Sequence, residues 1–122
     1  MSEKTNLPAM TIHRYLKWNK EDDILLKIDD KDPICYLSIA NIFFQKHSNK
    51  SAEKYYTKAI EFSKNDSMYY HFRAYFYDSI GKIDKALIDC DNGLKINPED
   101  DCILSLKSQI LKKLKKEGKI LL

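Results

Sequence analysis

Glycine and proline are scarce in this chain of 122 residues, with three of each. Few breaks are therefore available, and no stretch alternates apolar and polar residues long enough to argue a strand. Cysteine is sparse as well. Cys35, Cys90 and Cys102 make an odd count with no C-x-x-C pair, which argues against a disulfide framework and fits reduced thiols. No apolar run approaches the ~20 residues needed to cross a bilayer. The opening Met-Ser-Glu-Lys-Thr-Asn is polar and lacks the apolar core of a secretory signal. Together these features lead to the expectation of a cytoplasmic protein. Asn49-Lys50-Ser51 and Asn65-Asp66-Ser67 match the glycosylation sequon, and without an export signal they read as helix-start and turn residues.

Chemistry-bearing patterns are missing too. His13, His47 and His71 are far apart, and none stands at ligand spacing from a cysteine or carboxylate. No H-E-x-x-H, zinc pattern or calcium loop occurs, and Gly81, Gly93 and Gly118 are too isolated to form a phosphate loop. Asp22-Asp23 and Asp29-Asp30 read as solvated helix-end charges rather than acid–base pairs. The expectation is a non-catalytic protein with no catalytic residue, metal or cofactor.

What is present is an ordinary globular mixture for one domain, 32% charged and 43% apolar. Its breaks fall at regular places. Pro33 suits a first helical position, Gly81 a helix C-terminus with a turn, and Pro98 the close of the next stretch. Helices are expected at 33–46, 49–63, 67–80, 83–96 and 100–116, so the fold class is all-α.

Two stretches align at a step of 34 residues. Tyr36, Ile39, Ala40, Phe43, Ala52, Tyr56 and Ala59 correspond to Tyr70, Arg73, Ala74, Tyr77, Ala86, Cys90 and Gly93. Such a step marks stacked helix pairs. Ala40 with Ala52, and Ala74 with Ala86, let two antiparallel helices approach closely. A larger side chain at any of them costs about 1–3 kcal/mol by overpacking.

These residues resemble the tetratricopeptide repeat family over about residues 33–122. The second unit carries the likeness best, through Tyr70-x-x-Arg73-Ala74-x-x-Tyr77, Gly81, Ala86 and Pro98. In the first unit His47 stands where the family has glycine and Lys64 where it has proline. His47 is thus expected to adopt a left-handed backbone conformation. Cys90 and Gly93 replace a larger aromatic and an alanine. Leu104, Lys107, Ser108 and Leu111 begin a third unit that ends as a capping helix. The resemblance implies an antiparallel hairpin stack of the α-solenoid type, a right-handed superhelix. Its repeats would be 33–66 and 67–100, with a cap at 101–117. Residues 1–32 would be a helical extension or arm, with Pro8 and Asn19/Asp22 as helix-start signals.

The same resemblance implies a concave groove that holds a peptide from another protein. By analogy its faces are Ile34, Leu37, Asn41, Phe44 and Gln45 on the helix at 33–46, and Met68, His71, Phe72, Tyr75 and Asp78 on the helix at 67–80. Cys102, Ser105, Leu106, Gln109 and Lys113 follow on the last helix. A subgroup of the family clamps acidic C-terminal tails with two asparagines and three basic residues. Here only Asn41 matches, and Leu37, Phe72, Cys102 and Leu106 fill the other positions, so no carboxylate clamp is expected. The ligand expected is a peptide with apolar anchors.

From Cys102 onward six lysines, including Lys112, Lys113, Lys115 and Lys116, stand against one acid, Glu117. Apolar residues recur at helical spacing among them. This basic helix reads as a solubilising outer face, or alternatively as a patch for an acidic protein, RNA or anionic membrane. The net charge of +3 and only two arginines, Arg14 and Arg73, speak against specific nucleic-acid recognition. A self-associating assembly subunit is the other competing reading, from the acidic residues near 21–30 and the basic end. Ile120-Leu121-Leu122 form a short apolar tail.

Overall fold

The computed structural model describes residues 31–119. The expectations for the arm up to residue 30 and for the tail Ile120–Leu122 lie outside the described residues. Five helices run in order: α1 (Pro33–Gln45), α2 (Asn49–Ser63), α3 (Ser67–Ser79), α4 (Ile83–Ile96) and α5 (Asp101–Lys116). No strand occurs among the described residues. The all-α expectation holds, with every boundary within one residue of the expected one, and the helices pack as neighbouring pairs of the helical-repeat type.

Local chemistry sets the starts. Asp32, Asp66 and Asp100 are the N-caps of α1, α3 and α5, accepting from the backbone amides of Ile34, Met68 and Ile103 at 3.0, 3.0 and 3.2 Å. Each cap satisfies a first-turn N–H that has no partner inside the helix. Pro33 follows the first cap directly, where its lack of an N–H is harmless.

The ends are equally regular. After α1 the His47 amide donates to the Phe44 carbonyl and the Ser48 amide to the Phe43 carbonyl. After α3 Gly81 donates to Asp78 and Lys82 to Tyr77. This is the Schellman arrangement, which needs a left-handed residue just past the helix. His47 (φ 63°) and Gly81 (φ 85°) supply it, as expected for both. Lys64 is also left-handed, at φ 55°; nothing in the sequence reading pointed to it.

The described residues divide into two compact units, one up to residue 62 and one from residue 63. In the first, Ala40 and Ala52 are wholly buried, and Ile39, Phe43, Tyr56 and Ala59 are buried with them. Tyr55 joins two rings of α1, stacking on Tyr36 at 6.1 Å and on Phe43 at 5.8 Å. Tyr36 also stacks on Phe62 at 5.6 Å.

In the second unit α3 and α4 form the most extensive helix contact, and α5 lies on α4 and, less broadly, on α3. Ala74, Ala86, Phe76, Cys90, Ile103 and Ile110 are wholly buried there. Gly93 marks the tightest approach. A methyl group at that position would stand 2.3 Å from Ile103 Cδ1 and 3.2 Å from Tyr70 Cβ, so any larger residue requires the end of the Ile103 side chain to move and crowds Tyr70. Between α3 and α4, Arg73 Nε and Nη2 donate to the two Asp89 carboxylate oxygens, each at 2.8 Å. Asp89 is only 1% exposed. Burial works against the charged guanidinium, yet the Asp89 bonds prevail and raise the Arg73 pKa.

Candidate functional site

The groove residues of α3 and α5 face one another inside the second unit. His71, Phe72 and Tyr75 on α3, and Cys102, Ser105, Leu106 and Gln109 on α5, line a concavity of about 540 Å³ together with Asp101. Helical spacing explains the set. Positions 71, 72 and 75 share one face of α3, and 102, 105, 106 and 109 share one face of α5. Every groove residue named for these two helices lies here except Met68, Asp78 and Lys113. The last two bind each other, Lys113 Nζ donating to Asp78 Oδ1 at 3.1 Å.

The lining is mostly apolar. Tyr75 is 51% exposed and Leu106 is buried; Phe72 is half-buried and meets the His71 ring edge-on at 5.5 Å. The dense aromatic run of α3 thus divides by face. Tyr69, Phe76 and Tyr77 enter the core, whereas Phe72 and Tyr75 keep surface for a ligand.

Asp100 organises one end of the groove. Besides capping α5, it accepts a 2.5 Å bond from Ser67 Oγ at the start of α3. Burial opposes its charged form, but the Ser67 hydroxyl, the Ile103 and Cys102 amides and the nearby His71 outweigh that and lower its pKa. The His71 imidazole is held below its ordinary value by burial, with Asp100 pulling the other way. The groove therefore presents a neutral imidazole at neutral pH. The Ser67–Asp100 link escaped the sequence reading, although Asp32, Asp66 and Asp100 recur at the same 34-residue step as the helix starts.

On α1 the named residues lie in the first unit. Leu37 is corrected: at 8% exposed it belongs with the buried side chains and offers a ligand almost no surface. Asn41 is half-buried, and its Oδ1 accepts from the Tyr56 hydroxyl across the hairpin. Only its amide nitrogen is left to donate to a ligand. Phe44 is half-buried. Burial pushes the Tyr56 phenol up to about 12.

The basic-patch residues Lys112, Lys113, Lys115 and Lys116 are all exposed, Lys113 while bonded to Asp78 of α3, and Ile103, Leu106 and Ile110 are buried. Among the described residues no group of three or more His, Cys, Asp or Glu side chains is placed to hold a metal. No described helix is long and apolar enough to cross a membrane.

A family model for the ETO1 C-terminal domain matches residues 12–115. The chain belongs to the ETO1 C-terminal domain family. That agrees with the five described helices, which fit a tetratricopeptide-like repeat. Comparison with curated proteins and with solved structures gives no match.

Proposed function

We propose that this domain is a non-catalytic, tetratricopeptide-type adaptor that binds a peptide segment of a partner protein in the groove between α3 and α5. One observation carries the reading: Tyr75 is half exposed beside Phe72 on a concave, largely apolar surface. An exposed aromatic in a preformed groove is an anchor site for apolar side chains. The groove lacks a carboxylate clamp. Phe72, Cys102 and Leu106 bring no charge to it, and Asp78 and Lys113 satisfy each other at 3.1 Å. Ser105 and Gln109 supply polar groups for a ligand backbone. Cys35, Cys90 and Cys102 are not joined in disulfides, which suits a cytoplasmic setting.

The test is selection of a random short-peptide library displayed on phage against the wild-type domain. Peptides with paired apolar residues are expected to be enriched. Phe72→Ala and Tyr75→Ala should each weaken the selected peptides by more than ~1 kcal/mol, measured by isothermal titration. Unchanged affinity for both variants rejects the groove.

A further inference from the structure

The second unit holds another concavity, of about 650 Å³, between the beginning of α4 and the end of α5. Two turns build it. Gly81 (φ 85°) reverses the chain so that the Lys82 amide reaches the Tyr77 carbonyl at 2.8 Å, which sets Lys82 at the head of α4. Gly118 (φ 75°) does the same after α5, and the Lys119 amide returns to the Leu114 carbonyl at 2.9 Å. Ile83, Leu87 and Leu114 form the apolar walls, all half-buried rather than closed off. Lys82, Lys85 and Lys119 stand around them with a single carboxylate, Asp84.

We infer that this cleft docks an acidic protein segment carrying apolar side chains. Three lysines stand in the lining against Asp84, and with Glu117 beside Lys119 the rim keeps a net positive field. The Lys85 ammonium lies 5.5 Å from the Tyr77 ring centre, so its stem is held against the fold and its charge is positioned. Lys119 is 3.5 Å from Glu117, and Lys82 and Lys85 stand with it at the head of α4 and the end of α5. Leucine-like side chains would fill the space between Ile83, Leu87 and Leu114, while flanking carboxylates meet the lysines. A nucleic acid fits less well, because the lining contains no aromatic ring or guanidinium on which a base could stack. The cleft is separate from the α3–α5 groove and its role does not rest on that groove.

The experiment uses a fluorescein-labelled synthetic peptide of alternating acidic residues and leucines, followed by anisotropy at low and moderate salt. Saturable binding that weakens with salt is expected. Replacing the leucines by serine should reduce affinity about tenfold. The pair Lys82→Glu with Lys85→Glu should also reduce it about tenfold, whereas Lys112→Glu with Lys116→Glu, the same charge change outside the cleft, should stay within about twofold. Phe72→Ala with Tyr75→Ala should leave this peptide unaffected, which separates failure here from failure of the groove. Circular dichroism checks each variant, and the neutral pair Lys82→Gln with Lys85→Gln replaces the reversed pair if helicity drops. Equal losses in both lysine pairs overturn the proposal, as does undiminished binding of the serine peptide. Tighter binding of a short RNA or of phosphatidylserine vesicles than of the peptide also overturns it.

Discussion

Taking a guanidinium and a carboxylate out of water is costly unless each satisfies the other. Arg73 and Asp89 do so through two parallel bonds between α3 and α4. Removing one partner leaves a buried charge, so Arg73→Met or Asp89→Leu alone should cost about 3–5 kcal/mol in urea unfolding. The double variant should recover most of that loss. At the same scale, His71 binds its proton less readily in the folded chain than in the unfolded one, because burial lowers its pKa from 6.5. Its contribution to stability is therefore complete above the unfolded value of 6.5 and declines as the pH falls through the folded value. The urea midpoint should drop on acidification from pH 6.5, and His71→Gln should flatten that part of the profile. The depressed Asp100 pKa has the same sign but acts later. Its contribution is lost only when the pH falls through a value below the usual carboxylate range. Arg73 was visible in the sequence as a repeat residue, but Asp89, 16 positions away, carried no signal. A buried pair between two helices is a matter of facing side chains, not of spacing alone.

Helices of this length are set as much by their ends as by their faces. Asp66→Ala should lower stability by about 0.5–2 kcal/mol in thermal or urea unfolding, as loss of a cap does elsewhere. Asp100→Ala should fall at the upper end of that range, since the Ser67 hydroxyl loses its acceptor as well. The element boundaries were legible because Pro33, Gly81 and Pro98 mark them and the small alanines repeat in register. His47 was legible as a left-handed residue because Gly81 occupies the equivalent place one step on. Lys64 was not, since lysine announces nothing about its backbone and Pro98, one step on, belongs to a different turn. The aromatic run of α3 resisted assignment for a related reason: the nine positions 69–77 carry seven rings, counting His71, and only packing decides which face they serve.

On the scale of the chain, its three thiols report its opening. Cys102 is exposed in the groove, Cys35 is half-buried in the first unit and Cys90 is buried in the second. Burial pushes the Cys90 thiol up to about 11, which leaves little thiolate to react. With an aromatic disulfide reagent, Cys102 should react first and be shielded by a groove ligand. Cys90 should react only as fast as the second unit opens. The concavity between α3 and α5 was readable because helical periodicity groups its residues face by face. The basic cleft was not, because Lys82, Lys85 and Lys119 converge only through the turns at Gly81 and Gly118. The evenly placed aspartates before α1, α3 and α5 carry a consequence for chain length. A cut-and-join between any two of them excises a whole number of periods, and the seam still reads as aspartate followed by a helix. Length can therefore change in quanta without leaving a ragged junction.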